Sequence, residues 1–405
     1  MKKRLLYLVH RIPYPPNKGD KIRSFNMLKF LARDYDIHLG TFIDDPDDWQ
    51  HVPALKAYCQ SFFAAPLNPF KAKLKSLPAL LGNTPLTLPY YRHAGLAAWV
   101  DGQRQQHAFD AVLVFSSAMA QYVQGEPWSK LRRVIDFVDV DSDKWCQYAD
   151  SLSGPKRWIY RREGRTLLEY ERAVATDFDA SVFVSQHEAD MFKSLAPEAA
   201  SRVGYFNNGV DTDYFAPQVE GQPHDNPYPR DAKAVVFTGA MDYWANVDAV
   251  SWFAEAIFPR LRQRQPQARF YIVGSRPGRQ VQQLGNREGV TVTGAVTDIR
   301  PYLAHARAAV APLRLARGVQ NKVLEAMAMA RPVVATPQAL DGLEAQIGTE
   351  VLQADNAAAF ADELDHLLQN DQDDSIGQAA RARVQASYSW QHNLTRLQGL
   401  LQGSA

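Results

Sequence analysis

Short apolar runs recur along this chain and alternate with segments in which apolar residues have a helical spacing. In the first half, this pattern predicts strands at Arg4–Val9, Asp36–Phe42, Ala111–Phe115, Arg133–Val138, Ala180–Val184 and Arg202–Phe206. In the second half, it predicts strands at Ala234–Thr238, Arg269–Val273, Val290–Thr293, Ala308–Ala311 and Pro332–Ala335. Strands that alternate with helices favour parallel sheets built of βαβ units, so both halves are expected to be α/β.

The two series are separated by Gly221–Arg230, a polar segment rich in Pro and Gly that is typical of a linker. Two successive sheets of this kind predict two doubly wound, Rossmann-like domains that face each other across a cleft at the carboxyl ends of their strands. The expected division is a first domain over 1–207, a hinge and linker over 208–231 and a second domain over 232–386. A final helical pattern spans roughly Ile376–Leu401, and a C-terminal helix over about residues 387–405 is a candidate to pack back onto the first domain.

Composition narrows the class of protein. The 405 residues are 46% hydrophobic and 22% charged, with a net charge of +1, so the chain lacks the positive field of a nucleic-acid binder. The two cysteines, Cys59 and Cys146, fit neither a disulfide framework nor a metal cluster, which favours a reducing, cytoplasmic compartment. The N-terminal apolar run is cut short by His10 and Arg11, as expected of a buried first strand rather than a signal peptide. No apolar stretch approaches the length of a membrane span, so any membrane contact is expected to be peripheral.

Candidate chemistry is concentrated in the block Pro312–Pro332 (PLRLARGVQNKVLEAMAMARP), which leaves a predicted strand and enters a predicted helix. A helix N-terminus offers free backbone N–H groups and a partial positive charge, which suits an anionic ligand. Arg314, Arg317 and Lys322 place three cations at this end, where they oppose the helix dipole and therefore suit a diphosphate better than a plain surface turn. Glu325, one turn further, is placed to accept hydrogen bonds from ribose hydroxyls.

This block resembles the nucleotide-sugar site of family 4 glycosyltransferases (glycosyl transferases group 1), in which a Glu, seven residues and a second Glu open the corresponding helix. Glu325 and the following Ala326–Ala328 match the second half of that pattern. Arg317 replaces the first Glu, so the contact of that Glu with the transferred sugar is not carried over, and Arg317 is assigned to the phosphates instead. The resemblance implies a GT-B fold and adds further donor-binding residues around the helix start: Gly318, Val319, Gln320 and Asn321.

The resemblance extends over most of the chain. It is carried by Phe206–Asp211, which is similar to the family's hinge, by Phe237–Asp242 with Asn246, and by Ile272–Pro277 and Thr293–Asp298. It implies donor contacts with the base, ribose and diphosphate at Gly239, Gly274, Arg276 and Val296. Many relatives carry Arg and Lys where this chain has Ala240 and Ala245, which shifts the phosphate contacts to the cations of the Pro312–Pro332 block. The overall pattern is most similar to sugar transferases associated with the PEP-CTERM exosortase exopolysaccharide system.

In the first domain, Pro13–Arg23 (PYPPNKGDKIR) follows the first strand and leads into a helix. Its Gly19 allows a close approach of the backbone to a ligand. The loop resembles the Gly-rich loop that family members place over the donor phosphates and near the acceptor, although Asp20 stands where most relatives have a second Gly.

Asp139 follows the predicted strand Arg133–Val138 and stands where many family 4 members carry an active-site His or acidic residue. The resemblance makes it the candidate to orient the acceptor hydroxyl or accept its proton. Asp139, Asp141 and Asp143 also form Asp-x-Asp pairs like the metal-binding signature of the other large glycosyltransferase fold. Cations that are available for the diphosphate make a metal ion redundant, so no metal and no other cofactor is expected, and Asp143 is interpreted as a helix cap.

No acidic residue occurs between Asp48 and Asp101. The basic residues of this stretch are Lys56, Lys71, Lys73, Lys75 and Arg92, and its aromatic and leucine side chains are Phe62, Phe63, Phe70, Leu74, Leu77, Leu80, Leu81, Tyr90 and Tyr91. Cations beside exposed apolar side chains suit docking to an anionic bilayer. In the alternative, the apolar residues cover the first sheet and the lysines are solvated. The basic segment Lys156–Arg165 is a candidate for the same face.

The sequence therefore predicts a metal-independent glycosyltransferase, retaining by resemblance, that moves a sugar from a UDP- or GDP-sugar to a glycan or lipid-linked glycan in exopolysaccharide synthesis. We expect it at the inner face of the cell membrane, with Asp139, Lys322 and Arg317 as catalytic residues; the oligomeric state is left open. Two alternatives stay open: a nucleotide-sugar epimerase on the same fold, and a non-catalytic nucleotide-sugar-binding subunit of a polysaccharide assembly. No G-x-G-x-x-G follows the first strand of either domain, which disfavours a nicotinamide-dependent enzyme.

Overall fold

The computed structural model describes residues 2–16, 18–150, 152–316, 319–370 and 374–403. The described residues form two compact units. The first unit is drawn from 1–207 together with 393–405, and the second from 208–392. Each unit is built around its own parallel sheet.

The first unit contains the strands β1 (Lys3–Val9), β2 (Tyr35–Ile43), β3 (Ser61–Pro66), β4 (Ala111–Phe115), β5 (Arg132–Val138), β6 (Ala180–Phe183) and β7 (Val203–Tyr205). Its helices are α1 (Gly19–Leu31), α2 (Val52–Lys56), α3 (Pro69–Ser76), α4 (Thr87–Tyr90), α5 (Ala94–Gln106), α6 (Asp141–Asp150), α7 (Gly154–Asp177) and α8 (Gln186–Leu195). Short 3₁₀ turns lie at Pro46–His51, Leu77–Leu81, Ser117–Tyr122 and Pro197–Arg202.

The second unit opens with a two-stranded hairpin of β8 (Gln218–Val219) and β9 (Gln222–Pro223). Its sheet contains β10 (Lys233–Thr238), β11 (Ala268–Val273), β12 (Val290–Gly294), β13 (Ala308–Ala311), β14 (Val333–Ala335) and β15 (Leu352–Gln353). Its helices are α9 (Trp244–Trp252), α10 (Phe258–Arg264), α11 (Arg279–Leu284), α12 (Arg300–His305), α13 (Asn321–Ala328), α14 (Ala357–Gln369) and α15 (Ser375–Ser387). The last helix, α16 (Trp390–Gln402), belongs to the first unit from Asn393 onward.

Both sheets have the strand order of the doubly wound fold. Within the described residues, the first sheet runs β3-β2-β1-β4-β5-β6-β7 and the second β12-β11-β10-β13-β14-β15, with every named pairing parallel. The order reverses between β1 and β4 in the first sheet and between β10 and β13 in the second. In this fold, ligands bind at the carboxyl ends of the strands beside such a reversal. The predicted fold class, two Rossmann-like α/β domains, is confirmed.

The central strands show why the pattern was readable. Leu5–Val9 of β1 and Ala234–Phe237 of β10 are completely buried. A parallel strand covered by helices on both faces is apolar at successive positions instead of alternating, and such runs stand out in a sequence.

Two edge strands, β3 and β15, were missed by the sequence prediction. The β3 residues Phe62 and Phe63 had been assigned to an exposed docking surface, but both are partly buried, and Phe63 stacks on Trp99 with ring centroids 5.8 Å apart. They belong to the sheet because β3 pairs with β2 along its whole length.

The helical pattern at Ile376–Leu401 forms two helices, α15 and α16, and α16 lies within the helix expected over about 387–405. The backbone is interrupted where the Val210 N–H donates to the Tyr388 carbonyl at 2.8 Å. The hydroxyl of Ser389 then caps the next helix by accepting from the His392 N–H at 3.3 Å. In the first unit, the carbonyl of Leu400 accepts from the Arg132 side chain at 2.9 Å.

The segment predicted as a linker packs on the second unit. Tyr228 is buried against Tyr271, with ring centroids 4.5 Å apart, and its hydroxyl donates to the Tyr302 carbonyl at 2.6 Å. Among the helices of the described residues, none is long and apolar enough to cross a bilayer.

Candidate functional site

The carboxyl ends of β10 and β11 approach closely through two predicted glycines. Gly239 and Gly274 have φ values of 156° and 158°, which favour glycine. A Cβ atom on Gly274 would overlap the Gly239 carbonyl oxygen, and one on Gly239 would lie 2.8 Å from Asn246 Nδ2 and 3.4 Å from Lys322 Cε. Both positions therefore exclude a side chain, and Gly239 lies directly beside Lys322.

Lys322 stands in the first turn of α13. Its Nζ donates to Asn246 Oδ1 at 2.7 Å and lies 4.9 Å from the centroid of the Phe237 ring. Asn246 is fixed in turn, because its Nδ2 donates to the Ala240 carbonyl at 2.8 Å. Burial lowers the pKa of Lys322 to about 8, against the opposing effect of the Glu325 charge. An ammonium group held by a neutral amide in a low-dielectric setting is a strong potential partner for an anion.

Glu325 lies one turn along the same helix and is partly buried. Burial raises the pKa of its carboxyl to about 7, and the charge of Lys322 limits that rise. Near neutral pH, this carboxyl is poised between an acceptor and a donor of hydrogen bonds. It remains a candidate for the ribose hydroxyls.

The start of α13 carries three further predicted residues. Val319 is buried in the core, and Gln320 occupies the N-cap position. Asn321 Oδ1 is buried and has no hydrogen-bond partner within the described part of the chain. Arg317 and Gly318, also predicted site residues, lie outside the described residues.

Arg314 already has an ion-pair partner, which the sequence did not indicate. Its Nε donates to Asp248 Oδ2 at 3.0 Å, its Nη2 contacts the other carboxylate oxygen, and the guanidinium lies over the Trp252 ring. These contacts tie the loop after β13 to α9. Arg314 would have to exchange or share Asp248 to reach a phosphate.

The remaining donor-side residues lie on the two neighbouring loops. Arg276, after β11, has a φ of 54°, is exposed, and pairs with Asp242 at 3.4 Å. Val296, after β12, is partly buried against the core. The structure thus brings together Gly239, Gly274 and Lys322, with Asn246 between them. Asn246 stands in a motif of the sequence, but no role was predicted for it.

In the first unit, Asp139 directly follows β5. Its Oδ2 accepts from Lys144 Nζ at 2.6 Å, and the same ammonium lies 3.1 Å from Asp141. Burial alone would lower the pKa of Lys144, but the charges of Asp141 and Asp139 outweigh it and raise that pKa well above its usual value. Asp139 is therefore an ion-paired carboxylate, which the sequence did not indicate.

The Gly19 loop begins α1, and a Cβ atom on Gly19 would have no neighbour within 4 Å among the described residues. Its charges are paired internally: Asp20 accepts from Arg11 at 2.7 Å, and Lys21 Nζ donates to Asp48 at 2.6 Å. Burial alone would raise the pKa of Asp20, but His10 and Arg11 hold it well below its usual value.

Only some of the apolar side chains in the acid-free stretch between Asp48 and Asp101 are exposed. Phe70, Leu74, Leu77 and Leu81 are exposed, the first by 71% and the last by 95%. The other apolar residues assigned to the docking surface are partly buried, which corrects that assignment for Phe62, Phe63, Leu80, Tyr90 and Tyr91. Among the described residues, no group of three or more His, Cys, Asp or Glu side chains is arranged to hold a metal ion.

Comparisons with known proteins show what this chain resembles in sequence and in fold. Residues 232–370 match the family model described as "Glycosyl transferases group 1". The sucrose-phosphate synthase of Thermosynechococcus elongatus superposes with a TM-score of 0.70 at 17% identity over 99% of both chains. Anabaena HepE in complex with UDP and glucose gives 0.65 at 15% identity over 98% of both chains. WaaG, a glycosyltransferase involved in lipopolysaccharide biosynthesis, gives 0.66 at 16% identity over 98% of this chain and 100% of its own.

A comparison with curated proteins by sequence gives no match. At identities this low, the structural likeness establishes the fold, which is GT-B. The sequence match covers residues 232–370 and indicates a glycosyl transferases group 1 domain in the second unit. The match and the fold together identify the protein as a glycosyltransferase.

Proposed function

We propose that the protein transfers a sugar from a nucleotide-sugar donor whose diphosphate binds at Lys322, beside Gly239 and the start of α13. The observation that carries this proposal is the Lys322 ammonium, which is held at 2.7 Å by the neutral amide of Asn246 at the carboxyl end of the sheet. Gly239 brings the loop backbone close to Lys322, since a Cβ atom there would lie 3.4 Å from Lys322 Cε, and the helix start adds N–H donors.

The chemical demand of the step is the negative charge that develops on the departing nucleoside diphosphate. Lys322 and the start of α13 would stabilise that charge in a partly dehydrated setting, where such contacts are strongest. Glu325 would accept hydrogen bonds from the ribose. HepE was solved with UDP and glucose, so a uridine diphosphate sugar is the first donor to test. The family resemblance supports a retaining reaction that requires no metal ion, with Asp139 on the acceptor side.

The donor site can be tested by calorimetric titration with UDP, GDP and their sugars. We expect one of the diphosphates to bind to the wild-type enzyme and to lose at least tenfold in affinity in Lys322→Met, which keeps the apolar stem. The matched control is Arg314→Met, which removes an exposed cation already paired with Asp248. Equal affinity in wild type and Lys322→Met would place the diphosphate elsewhere.

The acceptor we propose is a glycan or lipid-linked glycan of exopolysaccharide biosynthesis at the cytoplasmic face of the membrane. The similarity to PEP-CTERM-associated transferases supports the process. The exposed stripe Phe70, Leu74, Leu77 and Leu81 supports the membrane, since its spacing is that of one helical face. Lys71, Lys73 and Lys75 are exposed along the same segment.

The C-terminal end of this stripe is fixed to α7. Arg162 of α7 donates to the carbonyls of Ala79 and Thr84 at 2.6 and 3.2 Å and also contacts that of Gly82. Glu163 accepts from the Leu86 N–H at 2.6 Å. An amphipathic segment that is fixed at one end loses less conformational entropy when it docks than a free one, which favours its use as a membrane anchor.

Flotation with vesicles tests the docking. We expect wild-type enzyme to float with anionic vesicles and much less with neutral ones. The double variant Leu77→Glu with Leu81→Glu should stay in solution, whereas Ile347→Glu, at an exposed apolar position of the second unit, should float like wild type. Flotation that ignores anionic lipid content, or that survives the double variant, would remove the membrane from the proposal.

A further inference from the structure

Arg23 and Asp136 form a completely buried ion pair in the first unit. Arg23 Nε donates to Asp136 Oδ2 at 2.7 Å, and both side chains are 0% exposed. Arg23 also donates to the carbonyls of Phe183 and Phe206 at 3.4 and 3.1 Å, and its guanidinium lies 3.8 Å from the centroid of the Phe206 ring. One guanidinium from α1 thus ties together the carboxyl ends of β5, β6 and β7.

Such a pair is poorly explained by stability alone. The cost of removing two charges from water consumes most of their attraction, and well-packed apolar replacements are often as stable. A buried pair instead specifies one local geometry, so its neighbours indicate what it holds.

The neighbour that stands out is Val138, the last residue of β5. Its φ is 71°, a left-handed value that is a true outlier for a β-branched residue. Asp136 Oδ1 accepts from the Val138 N–H at 2.9 Å, and the pairing of β5 with β6 shifts register between these two residues. One carboxylate oxygen therefore binds Arg23, while the other holds the irregular backbone.

A shift of one residue in a strand sends the following side chains to the opposite face of the sheet. The residue that follows is Asp139, whose carboxylate contacts Lys144 at 2.6 Å. Strained backbone that surrounding contacts enforce is most frequent beside functional residues.

We propose that Arg23 and Asp136 are positioning residues that hold Val138 in its left-handed conformation and so set the direction of Asp139. This inference rests on the proposed role of Asp139 toward the acceptor. It assigns a function to Arg23, the last residue of the Pro13–Arg23 segment, and links α1 to the acceptor side of the reaction.

The test is a rescue experiment. Asp136→Asn keeps the shape of the side chain but replaces one acceptor oxygen with an NH2 group, so it cannot accept from both Arg23 and the Val138 N–H. We expect kcat to fall about 10- to 100-fold with the donor KM nearly unchanged. Adding Val138→Gly should restore at least fivefold in kcat, because glycine adopts a left-handed φ without strain. A purely structural role would give no such recovery in folded protein, assayed well below the melting temperature. Full activity in Asp136→Asn, or a loss that glycine does not recover, would overturn the proposal.

A second measurement is independent of transfer. Crystal structures of wild type and Asp136→Asn should show residue 138 leaving the left-handed region and the Asp139–Lys144 contact opening beyond 4 Å. An unchanged Val138 and Asp139 in the variant would overturn the positioning role even if no acceptor were available. If the wild-type enzyme binds a nucleotide-sugar but never transfers the sugar, the proposed function is contradicted. The two crystal structures would then still decide whether Arg23 and Asp136 position Val138 and Asp139.

Discussion

The two sheets present charge differently at their carboxyl ends. In the first unit, four cations near the strand ends pair with carboxylates: Arg11 with Asp20, Lys21 with Asp48, Arg23 with Asp136 and Lys144 with Asp139. In the second unit, Lys322 is held by the neutral amide of Asn246. These four cations of the first unit are neutralised by carboxylates, whereas Lys322 is a partly buried ammonium bound to an amide.

We interpret the paired charges of the first unit as structural and Lys322 of the second unit as part of a binding site. A buried cation is costly unless an opposite charge accompanies it, and that cost is visible in the pKa of Lys322, which burial lowers to about 8. A bound diphosphate would supply the missing charge. Among the described residues, Lys322 forms no ion pair with a carboxylate, and we therefore assign the donor to the second unit.

The largest effect is expected from Lys322→Met. Transfer should fall about 100- to 1000-fold, the usual loss when one group that stabilises a developing anion is removed. The melting temperature should hold or rise, because the variant no longer buries a charge. Arg314→Met should cost less than about tenfold, since Asp248 already engages that guanidinium. Similar losses in the two variants, measured as initial transfer rates at limiting donor, would erase the distinction between a paired and an available cation.

Asn246→Asp would give Lys322 a carboxylate partner, like the partners of the four paired cations in the first unit. The new carboxylate would pair with the Lys322 ammonium and compete with the diphosphate, so affinity for nucleoside diphosphate should fall about tenfold, or ~1.4 kcal/mol. The control Asn246→Ser removes the amide without adding charge and should bind better than Asn246→Asp. Tighter binding in the aspartate variant, by calorimetry, would show that the amide is not chosen for its neutrality.

Donor binding should also depend on pH through the same pair. Glu325, with its pKa raised to about 7 by burial, loses its negative charge as the pH falls below that value. Lys322, with its pKa lowered to about 8, loses its positive charge as the pH rises above it. Affinity should therefore peak between the two and fall severalfold per pH unit on either side. Glu325→Gln should flatten the acid side alone; an unchanged acid side in this variant would remove Glu325 from the donor site.

The last prediction concerns Glu171 of the first unit and affects stability rather than transfer. Glu171 is buried and accepts from the Ser142 hydroxyl at 2.5 Å, and burial, with the charge of Asp141, raises its pKa to about 8. The folded protein therefore holds a proton that the unfolded chain releases above its lower pKa, so stability declines as the pH rises toward 8. Glu171→Gln should remove about 3 to 4 kcal/mol of the decline between pH 5 and pH 8, because each unit of pKa shift is worth about 1.4 kcal/mol. Denaturation at pH 5 and pH 8 measures it, and parallel declines in both proteins would exclude the effect.

The sequence was sufficient for the features that depend on local pattern. The buried central strands, the glycines after β10 and β11 and the position of Lys322 were all readable as short runs or motifs. The pairing of charges was not, because the partners are far apart: Arg23 and Asp136 are separated by 113 residues, Lys322 and Asn246 by 76, and Arg314 and Asp248 by 66. Only the folded sheet brings them together, and so Asn246 was overlooked and Arg314 was counted as free.

The edge strands were missed for a related reason. The pairing of β15 is defined by two residues, Leu352 and Gln353, against Val334 and Ala335. A run that short carries no periodicity. The break between α15 and α16 likewise depends on Val210, which binds the Tyr388 carbonyl from far along the chain. These features are set by tertiary contacts and leave little trace in local sequence.

The central claim is that the enzyme moves a sugar from a nucleotide-sugar and releases the nucleoside diphosphate held at Lys322. The most direct test incubates the enzyme with a radiolabelled UDP-sugar, and in parallel a GDP-sugar, together with lipid-linked glycan acceptors on anionic vesicles. We predict that one donor gives labelled glycan and nucleoside diphosphate in equal amounts, and that Lys322→Met abolishes both. Isomerised nucleotide-sugar without acceptor, as an epimerase would form, or tight binding without turnover across the acceptors, would contradict the account.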